Sequence, residues 1–173
     1  GIDLQVVSSF RSFDRQLTIW QSKWLGQKAI LDIHSQPIDI NSLDELQKIH
    51  SIMTWSALPG ASRHHWGTDL DVYDKQSVEK SGSKLNLVSE EYQSGGPRFE
   101  LNQWLEKYAS QYGFFRPYQD YHGGVAPEAW HLSFQPIADD IVAQMDVSQL
   151  ATKLSNTEIG GKNAILNNIE SLF

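Results

Sequence analysis

The stretch Ser62-Arg-His-His-Trp-Gly-Thr-Asp-Leu-Asp71 decides how the chain is read. It runs into Thr68-Asp-Leu-Asp-Val-Tyr73, where polar Asp69, Asp71 and Tyr73 alternate with Leu70 and Val72. Alternation with a period of two is the mark of a strand with one polar and one apolar face. Much further along, Trp130-His-Leu-Ser-Phe134 repeats the pattern, with His131 and Ser133 on one side and Trp130, Leu132 and Phe134 on the other. Laid side by side, two such strands would present Asp71 and His131 on a common face. His64 would arrive from the loop that leads into the first strand.

Two imidazoles and a carboxylate form a donor set for hydrolytic zinc, which takes three protein ligands at about 2.0–2.2 Å and keeps a fourth position for water. Attack on an amide also needs a base that collects the water's proton and returns it to the leaving amine. Glu128, three residues before His131, can supply that carboxylate. His64, Asp71 and His131 are therefore the candidate ligands of one zinc ion, and Glu128 is the candidate base. Asp69 shares a face with Asp71; it either orients a ligand imidazole or is an exposed strand residue. His34 and His50 read as surface residues, and His65 as structural.

The pattern S-x-H-x-x-G-x-x-x-D (Ser62, His64, Gly67, Asp71) followed by E-x-x-H (Glu128, His131) resembles the D-alanyl-D-alanine carboxypeptidase and dipeptidase family of zinc peptidases, which cleave bacterial cell-wall peptides. Trp130 before the last histidine is similar to the carboxypeptidase branch. Ser9-Phe-Arg-Ser-Phe-Asp-Arg-Gln16 resembles the family segment whose arginine lines the substrate site. The resemblance implies that Arg11 binds the peptide's terminal carboxylate, for which a planar guanidinium is suited. It also implies substrate contacts from Gln16, Ser62 and Trp130.

By the same resemblance, the fold is α+β: a small antiparallel sheet flanked by helices, with zinc in a cleft on the sheet face. The activity implied is a zinc carboxypeptidase that removes a C-terminal D-alanine from peptidoglycan stem peptides. The same core serves D,D-dipeptidases, endopeptidases that cut between L-Ala and D-Glu, and, in Hedgehog signalling domains, a zinc-bearing interaction module. Base, ligands and arginine together favour hydrolysis over recognition. The family setting implies the bacterial cell envelope, and a helix ahead of the opening strand, so sequence upstream of Gly1 is expected. One departure stands out: Ala126 occupies a place that is aromatic in many such carboxypeptidases, and Tyr121 or His122 would substitute.

Composition narrows the classes without choosing among them. With 173 residues, 40% hydrophobic and six Trp, the chain can bury one sizeable core. A net charge of -7 and no basic run disfavour nucleic acid as a partner. The absence of Cys removes thiolate nucleophiles and Cys-based zinc sites. No stretch approaches the roughly 20 apolar residues of a membrane span, and no targeting segment opens the sequence.

Periodicity places a strand over 4–9 and a helix over 14–28, with Leu17, Trp20 and Trp24 on one face. A second helix follows the capping-box pattern Ser42-Leu-Asp-Glu45. Residues 74–97 read as a long loop. A third helix spans 98–112 and ends at Gly113, and a strand covers 114–118. Helices continue past Pro136, broken near Ser155-Asn156 and Gly160-Gly161. The expected organisation is a peptidase core over 1–136 and a C-terminal helical extension, 137–173, packed on it.

Overall fold

In the computed structural model, which describes residues 1–173, the chain runs through β1 (Leu4–Ser8), α1 (Phe13–Trp24), β2 (Ile30–Leu31), β3 (Pro37–Ile38), α2 (Glu45–Met53), β4 (Asp69–Asp74), α3 (Lys75–Ser81), α4 (Phe99–Tyr108), β5 (Phe114–Phe115), β6 (His131–Phe134), α5 (Gln135–Val142), α6 (Val147–Ser155), α7 (Lys162–Asn167) and α8 (Ile169–Leu172). Four 3-10 turns punctuate it, including Arg63–Trp66 just before β4. The architecture is α+β, with a four-stranded antiparallel sheet in the order β1-β4-β6-β5 and a two-residue ladder of β2 and β3. No helix is long and apolar enough to cross a membrane.

The contacts divide into two compact units. The first comprises 1–10, 66–121 and 127–143, and contains the sheet with α3, α4 and α5. In its centre Asp71 pairs with His131, Leu70 with Leu132 and Asp69 with Ser133. Because side chains alternate across a strand, this register gathers Asp69, Asp71, His131 and Ser133 on one face and leaves the other to Leu70, Val72 and Leu132. A one-residue slip would send every polar group to the wrong side. The register is backed by apolar anchoring: Tyr92, fully buried, donates its hydroxyl to the Val72 carbonyl at 3.1 Å and lays its ring 5.4 Å from that of Trp130.

The second unit comprises 11–65, 122–126 and 144–173. Its core joins α1 and α2 to the C-terminal helices through Trp20, Ile49, Ile52, Leu154 and Ile165, all fully buried. Burying a Trp removes roughly 200 Å² from water, worth on the order of 5 kcal/mol before entropy is counted. The Trp20 indole also donates to the Gly160 carbonyl at 3.0 Å, and the Gly160 N–H donates to Gln21 at 2.8 Å. A Cβ at Gly160 would lie 2.2 Å from the Trp24 ring, so only glycine lets this turn approach α1 so closely. Residues 135–143 thus belong with the sheet and 144–173 with α1 and α2.

Several boundaries differ from those expected. The α1 helix stops at Trp24 and not at Lys28, because Gly26 turns left-handed at φ 71. The capping box exists but sits two residues later: Asp44 caps the Gln47 N–H and Gln47 answers to the Asp44 N–H, while Leu43 is extended. The expected loop over 74–97 contains α3, capped by Asp74 at its start and by left-handed Gly82 at its end. Polar composition hid that helix. β5 is only two residues long, its pairing limited to Phe114 with Phe134 and Phe115 with Ser133. Gly113, left-handed at φ 78, terminates the helical run before it as its position suggested.

Candidate functional site

His131 is the hub of the sheet's polar face. Its ring is 2% exposed, with Nε2 2.8 Å from Asp69 Oδ1 and Nδ1 3.0 Å from Asp71 Oδ1. The Glu128 carboxylate stands 3.4 Å from the same Nδ1. Burial by itself would depress the imidazolium, but hydrogen bonds to Asp69, Asp71 and Glu128 outweigh it and raise the pKa to about 11. Asp69, fully buried, accepts from Thr68 Oγ1 at 2.7 Å and Ser133 Oγ at 3.0 Å as well. The exposed-residue reading of Asp69 is therefore corrected. It orients the ring, fixing the proton on Nε2 and turning Nδ1 toward Asp71 and Glu128.

Two residues that the sequence did not single out for the site complete this arrangement. The Tyr118 ring meets His131 edge-on at 4.9 Å, and the Tyr118 carbonyl accepts the Glu128 N–H at 2.8 Å. Glu128 in turn accepts the His131 N–H at 3.1 Å, so the base candidate and the imidazole share one tight turn. Ser133 could have been found from its alternation with His131. Tyr118 could not, because its contacts depend on how the loop after β5 returns.

The donor atoms of His64, Asp71 and His131 lie within 4.8 Å of one another, and all three residues are buried. Two imidazoles and a carboxylate so gathered suit a borderline-soft cation such as zinc. A cation at His131 Nδ1 would take over the role of the proton there. By donor chemistry and spacing, these residues fit the metal expected of them.

The Arg11 segment is built separately. Ser12 caps α1 by accepting from the Arg15 N–H, which leaves Arg11 just ahead of the helix. Arg11 Nη1 donates to Gln16 Oε1 at 2.8 Å, and Gln16 Nε2 donates to the Ala57 carbonyl at 2.7 Å. Gln16 is fully buried, with both ends of its amide in use. His65 accepts the Gly60 N–H on Nε2 at 3.0 Å and donates from Nδ1 to the Arg11 carbonyl. Burial lowers its pKa, the effect of Arg11 and His64 adding to it against the hydrogen bond to the Arg11 carbonyl. Ser62 and Trp130 are each 3% exposed, which leaves a ligand an edge at most. Ala126 is buried and bonded to the Thr54 carbonyl, whereas Tyr121 and His122 are exposed.

Comparison with known proteins gives a consistent picture. The family model described as VanY: D-alanyl-D-alanine carboxypeptidase matches residues 1–137. An uncharacterized protein of Haemophilus influenzae is 30% identical over 122 residues, covering 69% of this chain and 92% of that protein. A vancomycin resistance D,D-pentapeptidase VanY, solved in complex with Zn(II), shares the fold at a TM-score of 0.51 and 23% identity, over 83% of this chain and 68% of that one. The LD-carboxypeptidase LdcB shares it at 0.50 and 24%, over 83% of this chain and 55% of that one. At such identities these two structures bear on the fold.

Proposed function

Since the chain belongs to the D-alanyl-D-alanine carboxypeptidase family, we propose that it is a zinc-dependent carboxypeptidase that removes a C-terminal D-alanine from peptidoglycan stem peptides. The observation that carries the reading is the gathering of His64, Asp71 and His131 beside a further carboxylate, Glu128. His64, Asp71 and His131 would hold one zinc ion. Bound there, zinc would acidify a water and polarise the scissile carbonyl.

Every other part falls to the chain itself. Glu128 takes the proton of the attacking water and returns it to the departing amine, a task its place beside His131 supports. Asp69 holds the His131 ring in the tautomer that exposes Nδ1. Arg11 binds the terminal carboxylate through its planar fork, and Gln16 acts through Arg11 by anchoring Nη1. An arginine that reads a free carboxylate makes the enzyme an exopeptidase. The family setting supports action at the bacterial cell envelope.

The test uses zinc-loaded protein and stem peptides ending in D-Ala-D-Ala or L-Lys-D-Ala, each with a free or amidated terminus, the products identified by mass. Release of single D-alanine from free termini only is expected. The preferred peptide separates D,D from L,D specificity. Arg11→Lys should impair the free peptides and narrow the gap to the amidated ones, because an ammonium cannot reproduce the bidentate contact. Efficient cleavage of amidated peptides by the parent would overturn the exopeptidase reading in favour of an endopeptidase.

A further inference from the structure

We propose that His65 is a positioning residue that locks the backbone of Arg11 in register with His64 and so sets where a substrate's terminal carboxylate is held. The inference rests on the reading of Arg11 as the carboxylate anchor. Its basis is the number of bonds that converge on the backbone of one residue. The Arg11 N–H donates to the His64 carbonyl at 3.0 Å, and the Arg11 carbonyl accepts from His65 Nδ1. Consecutive residues of one turn thus grip both sides of Arg11. His65 is itself fixed from the far side, its Nε2 accepting the Gly60 N–H, where the chain turns at φ 95.

The same loop holds the other end of Arg11. The guanidinium bonds to Gln16, and Gln16 bonds to Ala57, three residues before Gly60. Main chain and side chain of the anchor are therefore both referred to the segment 57–65, which ends beside the candidate metal ligand His64. This task needs a donor and an acceptor on the two sides of one side-chain end, which imidazole and a carboxamide of sufficient reach provide and an aliphatic or phenyl group does not. An exopeptidase measures one residue from the carboxylate to the bond it cuts. Misplacement by about 1 Å costs up to roughly 10²-fold in rate. A link that fixes the anchor against the ligand loop is where such a measure would be set.

The experiment compares the zinc-loaded parent with His65→Phe, which keeps a ring beside Phe13, and His65→Gln, which keeps one donor and one acceptor. Zinc stoichiometry, kcat and KM are measured on stem peptides with free and amidated termini. For His65→Phe the expected result is unchanged zinc content, a KM for the free peptide raised about 10-fold or more with a smaller change in kcat, and a shrunken preference for the free terminus. His65→Gln should restore most of that preference. Should His65→Phe not yield folded protein, His65→Asn, polar but too short to span Gly60 and Arg11, takes its place with the same expectation. Parent-like KM and terminus preference in these variants would overturn the proposal, as would parallel loss of zinc and kcat with KM unchanged, the sign of a merely structural role. If the parent itself fails to distinguish free from amidated peptides, the reading of Arg11 falls, and this inference with it.

Discussion

Replacing Asp69 by Asn tests whether the buried carboxylate behind His131 tunes the metal site. Asp69 is fully enclosed, and its carboxylate accepts from His131 Nε2 at 2.8 Å, Thr68 at 2.7 Å and Ser133 at 3.0 Å. Asn has the same shape. Its carbonyl can still accept from the ring, and both hydroxyls can rotate to accept from its amide, so none of these three partners need be stranded. What disappears is the charge. A hydrogen bond to a charged group is worth about 1.5–3 kcal/mol and a neutral one about 0.5–1.5, so about 1–2 kcal/mol of support for the ligating ring is lost. At 1.4 kcal/mol per decade, zinc should bind roughly 5- to 30-fold more weakly, overlapping the range for removing an outer-shell partner of a metal histidine. Competition against a chromophoric chelator at neutral pH measures this, with thermal unfolding as a control that the fold is kept. If the Asn variant holds zinc as tightly as the parent, then the charge of Asp69 does not support the ring as a ligand.

Three further outcomes are expected. Glu128→Gln should keep its zinc, measured by elemental analysis, yet lose about 10²-fold or more in kcat, because a neutral amide cannot collect a proton. The His131 pKa rises from the ordinary 6.5 to about 11 on folding, so the metal-free protein draws full benefit from this group below pH 6.5 and loses it as the pH climbs toward 11. Its urea midpoint should therefore fall between pH 6.5 and 9, and zinc binding near pH 8 should release a proton, visible by calorimetry in buffers of different ionisation enthalpy. Gly160→Ala, whose Cβ would sit 2.2 Å from the Trp24 ring, should cost about 1–3 kcal/mol and lower the melting temperature by roughly 2–12 °C; an unchanged melting curve would mean that the turn can move away without loss.

Much of the site was legible because its chemistry repeats with the period of a strand. Asp69 and Asp71 in β4, and His131 and Ser133 in β6, each announce a polar face at spacing two, whereas the direct pairing of Asp71 with His131 is a matter of register that the fold supplies. Helix ends were less legible. Ser42 and Asp44 are equally good caps on paper, and the choice fell on Asp44 because Gln47 could close the box while Leu43 stayed extended. The α3 helix was missed since a short polar segment carries no apolar stripe, and only its caps, Asp74 and Gly82, mark it. His65 carried no signal beyond its neighbour, since its partners Gly60 and Arg11 are main-chain groups.

The amino-acid sequence by itself determined the chemistry available to this protein: two imidazoles and an aspartate for a metal, a glutamate three residues from a ligand, and an arginine just ahead of a helix. These are properties of residue type and short spacing, which survive without a fold. Tertiary structure alone decided how those groups are held. It gave Asp69 to Nε2 of His131 and left Nδ1 to Asp71 and Glu128, committed the Gln16 amide to Arg11 and Ala57, and made His65 a tie between Gly60 and Arg11. Such assignments join residues up to 62 apart in the chain, as Asp69 and His131 are. Hydrogen bonding is directional over about 3 Å, so which donor meets which acceptor is settled only when packing has brought them together.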